Sequence, residues 1–270
     1  MNYIQVTIES ISEEKREILI ALLAEEGFEG FEESGETLKA YVEEEQFNEE
    51  VFSSVAGLKN GEYSTALIPK QNWNAVWESN FQPVLVDDFV SVRADFHEPV
   101  LNIAHEIIIT PKMSFGTGHH ATTFMMVQQM RQLDFAGKKV FDFGTGTGIL
   151  AILAEKLGAA QITAIDNDDW SITNAAENLS RNNCSRILLE LSETVPANKS
   201  FEIILANINK NVILHHFDEI VDALSPGGSL LLSGLLTEDE THIVHIAKKY
   251  DIIHQSTESK DKWICMHFNG

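Results

Sequence analysis

Apolar and polar positions follow two successive regimes along this chain. In the first, Tyr3 to Ile8 alternates with period two, Glu13 to Glu25 carries apolar residues at helical spacing, and Gly30 to Tyr41 reads as two short strands meeting near Ser34 and Gly35. Gln46 to Val55 follows as a second helix and Tyr63 to Ile68 as a last strand. The order βαββαβ predicts a small ferredoxin-like α+β domain over residues 1–67. Residues 68–84 then form a connector in which Trp73, Trp77 and Phe81 recur every four residues. That stripe predicts a helical linker with one aromatic face packed on a neighbouring domain.

The second regime occupies residues 85–270. Short strand-like runs fill Val84 to Ile109, and from Lys138 onward strands and helices alternate. Strands are expected at Val140 to Phe143, Ile162 to Asp166, Ile187 to Leu191, Phe201 to Ala206, Ser229 to Ser233, Asp251 to Gln255 and Trp263 to Phe268. The clearest helices are Ile149 to Leu157, Trp170 to Asn182 and Val212 to Leu224, the last ended by Pro226-Gly227-Gly228. Only Ser256 to Lys262 separates the final two strands, which implies an antiparallel hairpin at a sheet edge. The expected architecture is α/β: a Rossmann-like domain with a seven-stranded sheet, preceded by the smaller α+β domain.

Between the first of these strands and its helix stands Phe141-Asp142-Phe143-Gly144-Thr145-Gly146-Thr147-Gly148-Ile149-Leu150. Glycine inside regular structure costs about 0.5–1 kcal/mol, so three in five positions imply a close backbone approach to a ligand. A dinucleotide site would use G-x-G-x-x-G, but the third glycine would then fall at Ile149. Charge argues the same way: a carboxylate at Asp142, about 6 Å from a phosphate at an effective dielectric near 20, would repel it by roughly 3 kcal/mol. S-adenosylmethionine carries a sulfonium and no phosphate, and suits an acidic turn. Asp166, ending the next strand, can accept the two hydroxyls of a ribose.

Two further segments carry chemistry. Pro111 to Thr123 (PKMSFGTGHHATT) is a second glycine-containing loop ahead of the apolar run Phe124 to Met130, with Thr122 or Thr123 as the expected helix cap. Its tandem histidines, His119 and His120, have no third ligand at metal-site spacing, so one is expected to brace the loop and no metal is expected. Leu205-Ala206-Asn207-Ile208-Asn209 ends the fourth strand, where an open α/β sheet binds its ligand. Asn207 can offer its amide oxygen to an amine or to the cofactor, or can cap the following helix.

Composition narrows the partners. Hydrophobic content of 44% with 22% charged residues is that of a globular protein, and no apolar run is long enough to span a membrane. Cys184 and Cys265 make no metal-type spacing and suit a reducing cytoplasm. The net charge is −22, and residues 1–60, with 15 glutamates against Lys15, Arg16, Lys39 and Lys59, carry −11 of it. Such a surface repels free nucleic acid and attracts a basic protein.

Taken together, the NW-x3-W-x3-F-x-P connector, F-G-T-G-H-H-x-T-T, D-F-G-T-G-T-G-I-L-A-I with its trailing L-G-A, A-I-D-N-D and A-N-I resemble those of the bacterial ribosomal protein L-eleven methyltransferase family. The resemblance implies a class I methyltransferase fold. It also implies S-adenosylmethionine as cofactor, held by Thr123, Gly144, Gly146, Asp166 and Asn207. The implied reaction is N-methylation of lysine side chains and the α-amine of one basic ribosomal protein, presented by the N-terminal domain, by a cytoplasmic monomer. A related methyltransferase acting on another protein or a small molecule is the alternative. Asn209-Lys210-Asn211 after A-N-I is more polar than the family pattern.

Overall fold

The computed structural model describes residues 2–59, 61–68, 82–110, 118–197 and 199–270. The aromatic stripe of the connector and the first half of the second glycine loop lie outside them. The chain divides into two compact units, Met1–Phe81 and Gln82–Gly270.

In the first unit, β1 (Tyr3–Ile8), α1 (Glu13–Glu25), β2 (Gly30–Ser34), β3 (Thr37–Glu43), α2 (Glu49–Ala56) and β4 (Ser64–Ile68) follow in order. The strands form an antiparallel sheet ordered β2-β3-β1-β4. Alternation along β3 turns Leu38, Ala40 and Val42 into the core, where Leu23 and Phe52 are also buried. Helix α2 begins later than its apolar pattern suggests. Asn48 caps it by accepting from the amides of Glu50 and Val51, so Gln46 and Phe47 stay outside.

The second unit opens with β5 (Val84–Val86), β6 (Val90–Ala94) and β7 (His105–Ile109), a three-stranded sheet. Helix α3 (Ala121–Met130) leads into the large sheet. There β8 (Lys139–Phe143), α4 (Ile149–Lys156), β9 (Gln161–Asp166), α5 (Asp169–Arg181), β10 (Ile187–Leu191) and β11 (Phe201–Asn207) alternate. After α6 (Lys210–His215) and α7 (Phe217–Ala223) come β12 (Leu224–Leu236), α8 (Glu240–Ala247), β13 (Ile253–Lys260) and β14 (Trp263–Asn269). The seven strands run β10-β9-β8-β11-β12-β14-β13, parallel through β12, with β14 and β13 antiparallel. The order reverses between β8 and β11, so the carboxyl ends of those two strands open a crevice.

Several local expectations are corrected. The helix expected over Val212 to Leu224 is two helices broken at His216, and Asn209 caps the first by accepting from Val212 N at 3.2 Å. β12 passes through Pro226-Gly227-Gly228 because a register shift after Phe201↔Leu224 absorbs those residues as a bulge. The hairpin turn is only Asp261 and Lys262, with Asp261 at φ +57°. His120, not a threonine, caps α3, its Nδ1 accepting from Thr122 N at 3.3 Å.

Helix α5 holds β7 with side chains spaced one turn apart. Asn182 accepts from Ile108 N at 3.0 Å and donates to Ile108 O at 2.6 Å. Asn178 accepts from Thr110 N at 2.7 Å and donates to Thr147 O at 2.9 Å. Four residues of helix rise about 6 Å and two of strand about 6.6 Å, so the two periods keep step.

Candidate cofactor and methyl-transfer site

Three positive φ angles in five residues, +73° at Gly144, +54° at Gly146 and +83° at Gly148, account for the glycine run. L-residues with side chains adopt that region at a cost of about 1–2 kcal/mol each. The turn is anchored from the next strand, since the amides of Gly144 and Thr145 both donate to Ile165 O at 2.9 Å. Asp166 completes the anchorage: Oδ2 accepts from Gly146 N at 2.8 Å and Oδ1 from Asp168 N at 3.1 Å. Each oxygen keeps a further lone pair for a ligand hydroxyl.

In front of the turn lies a cavity of about 620 Å3, within the range that holds a nucleoside-sized ligand. Gly144, Gly146, Asp166 and Asn207 are on its wall. Thr123 is not. It is buried at the start of α3 and meets Gly144, Gly146 and Asn207 around a small adjoining pocket. Asn207 donates to Thr123 Oγ1 at 3.3 Å, which orients its amide, while its buried Oδ1 has no hydrogen-bond partner. A buried acceptor left unsatisfied costs about 1–3 kcal/mol, so this oxygen is suited to a donor that arrives with a ligand. The capping role considered for Asn207 belongs to Asn209 instead.

Asp142 departs from its expected place. Its carboxyl is fully buried beneath the turn and absent from the cavity wall. Burial first, offset by the Thr145 hydroxyl and reinforced by the charge of Asp166, pushes it up to about 7. A charge repelling phosphate at contact range is therefore not its role.

Other residues reach the wall that the sequence did not place there, although His120 is one of the two histidines expected to brace its loop. His120 turns its ring edge toward Trp263, with centroids 4.8 Å apart. His216 packs edge-on against Phe143 at 5.3 Å and donates from Nδ1 to Glu219 Oε2 at 2.8 Å. Ile208 fills space that glycines leave: a Cβ on Gly144 would stand 2.2 Å from its Cγ2. The break at His216 and the last strand carry no local signal of a site; only strand order brings them to the crevice. The polar run after A-N-I is explained by its contacts, since Asn209 caps α6 and Lys210 Nζ pairs with Asp239 at 2.5 Å.

A glycine cradle, a carboxylate at the following strand end and an unsatisfied amide oxygen fit a ribose-bearing, amine-bearing cofactor such as S-adenosylmethionine. The family model described as ribosomal protein L11 methyltransferase (PrmA) matches residues 3–270. A ribosomal protein L11 methyltransferase from Porphyromonas gingivalis is 39% identical over 263 residues, 93% of this chain and 90% of its own length. One from Chlorobaculum parvum is 39% identical over 276 residues, 97% and 95% of the two chains. The crystal structure of ribosomal protein L11 methylase from Lactobacillus delbrueckii subsp. bulgaricus superposes with a TM-score of 0.65 at 25% identity, covering 70% of this chain and 98% of that one. A methyltransferase from Pyrococcus furiosus shares the fold alone, with a TM-score of 0.50 at 17% identity over 60% of this chain and 88% of that one.

Proposed function

The chain belongs to the ribosomal protein L11 methyltransferase family, and from that premise we propose that it methylates lysine side chains and the α-amine of ribosomal protein L11. When bound, S-adenosylmethionine supplies the methyl group from a sulfonium. Gly144 and Gly146 would offer backbone to it, Asp166 would accept its ribose hydroxyls, and Thr123 and Asn207 would complete its binding site. The observation that carries this reading is the buried, unpartnered Oδ1 of Asn207 beside Thr123.

Direct in-line transfer asks the protein for alignment and exclusion of water rather than a covalent intermediate. Only a neutral amine has a free lone pair, and Asn207 Oδ1 can accept one of its remaining N–H bonds while leaving that lone pair aimed at the cavity. Residues 1–67, read as a ferredoxin-like recognition domain, supply an acidic surface for the basic substrate, with 15 glutamates in the first 60 residues. A cytoplasmic monomer is the form in which we expect the protein to work. Among the described residues no helix is long and apolar enough to cross a membrane.

Mass spectrometry of ribosomal protein L11 incubated with this protein and S-adenosylmethionine tests the reading. Mass increments of whole methyl groups on lysines and the amino terminus are expected. An unmodified substrate, with a small amine methylated in its place, would overturn it.

A further inference from the structure

Asp142 sits where a carboxylate has little support. Neither oxygen reaches solvent; Oδ2 accepts from Thr145 Oγ1 at 2.7 Å, the Ala151 amide in the first turn of α4 adds a weaker pull toward the ionised form, and the buried Oδ1 has no well-formed hydrogen bond. A carboxylate held ionised in a protein interior usually collects two or three donors. Around it the elements are nearly free of charge. Its register partners are Ala164 on β9 and Leu205 on β11. Ile149 to Ala154 on α4 are buried and apolar, and Ala121–Met130 of α3 contains no charged residue. Asp166, at the end of β9, is the charged neighbour that acts on it.

Two and four residues beyond Asp142, Gly144 and Gly146 line the cavity. A cation held there would be separated from the buried Asp142 by protein interior, which screens charge weakly. The methyl donor and the reaction product share an α-ammonium and differ in charge only at sulfur, where a sulfonium becomes a neutral thioether.

We propose that Asp142 is a specificity-determining residue that separates donor from product by a proton, ionising when the sulfonium occupies the cavity and regaining its proton once the thioether remains. The inference rests on the cofactor reading above. In the binding step the Asp142 O–H bond breaks, the proton leaves to solvent, and the carboxylate stays beneath the turn; after methyl transfer the reverse occurs. With its carboxyl pushed up to about 7 by burial, the exchange falls at neutral pH. Binding that releases a proton strengthens as pH rises, by up to about tenfold per unit across the transition. Affinity for S-adenosylmethionine should rise this way, and affinity for S-adenosylhomocysteine should rise much less.

Calorimetry at neutral pH in buffers of different ionisation enthalpy counts the protons released. A substantial fraction of a proton is expected for S-adenosylmethionine, little for S-adenosylhomocysteine, and no difference between the two in Asp142→Asn, which keeps the Thr145 hydrogen bond. Equal counts for both ligands in the unaltered protein, or a difference that persists in Asp142→Asn, would overturn the inference alone. Failure of either ligand to bind would remove the cofactor reading along with it. Should Asp142→Asn not fold, the pH dependence of the two affinities in the unaltered protein decides: parallel curves refute the proposal and diverging ones support it.

Discussion

The carbonyl oxygen of Ile208 occupies the space that a side chain on Gly234 would need: a Cβ there would lie 2.1 Å from that oxygen. Gly234 also stands at φ +83°, in the register shift between Ser233 and Leu235 on β12. Because the obstacle is backbone, it cannot be rotated away, and moving it moves Asn207. Gly234→Ala is expected to cost about 3 kcal/mol or more in urea unfolding, against about 1–2 kcal/mol for Gly227→Ala. Gly227 has a similar φ of +74° but nothing within 4 Å. Equal costs for the two would show that strain alone matters.

Gly144→Ala meets Ile208 too, but at the side-chain atom Cγ2, which can turn aside. The loss of stability should be smaller than at Gly234, near the 1–2 kcal/mol of the left-handed backbone alone. Ile208 would then be driven into the cavity, so cofactor affinity measured by titration should fall at least tenfold. An unchanged affinity would argue that the crevice in front of the turn is not where the cofactor lies.

Asn207→Ala removes the acceptor oxygen that the amine is proposed to use. Turnover should drop by about 10² while the cofactor dissociation constant changes by less than tenfold. Parallel losses in both quantities would make Asn207 a cofactor ligand only. Thr123→Val, which frees the Asn207 amide to rotate, should reproduce part of the turnover defect.

Asn182→Ala removes at once the side chain, at the C-terminal cap of α5, that bonds both the amide and the carbonyl of Ile108. An unsatisfied amide pair of this kind costs about 2–3 kcal/mol. Hydrogen exchange at the Ile108 amide should accelerate well beyond that at Val92, which lies on the central strand of the three-stranded sheet opposite Ile107. If both amides exchange as before, the helix is not what protects β7.

His267, half-buried with Nε2 unpartnered, is held below its ordinary range by burial and by the nearby charge of His254, against a hydrogen bond to the Asn269 side chain that favours the protonated ring. Its folded value lies under the unfolded one, so the unfolded chain binds more protons in the window below about 6.5. Stability is therefore expected to decline as pH falls through that window. His267→Gln should flatten the decline, which thermal melts from neutral to mildly acidic pH would reveal; an unaltered slope would place the proton elsewhere.

Much of the architecture was legible because its signals are local. Each parallel strand is a short apolar run, and the glycine turn is marked by residues whose backbone angles only glycine adopts cheaply. The family was legible for the same reason, since its motifs are contiguous. What escaped depends on distant partners. Nothing near Asp142 in sequence tells that β9, β11 and α4 close over it, so its charge was assigned to the cavity wall. Thr122 and Thr123 are better caps by residue type than His120, yet the chain enters α3 one turn earlier than the apolar run suggests. Pro226-Gly227-Gly228 reads as a stop, and pairing with β11 carries the strand through it. Ile208 has an ordinary side chain; only the neighbouring strands show that it is wedged between two glycines.

A single amide, that of Asn178, joins Thr147 in the cofactor turn to Thr110 at the end of β7. It works as a rivet through two plates: neither segment can shift without shearing a bond to the other. The entropy of arranging them is lost when the chain folds, not when the ligand arrives, so the pocket meets its guest already in shape.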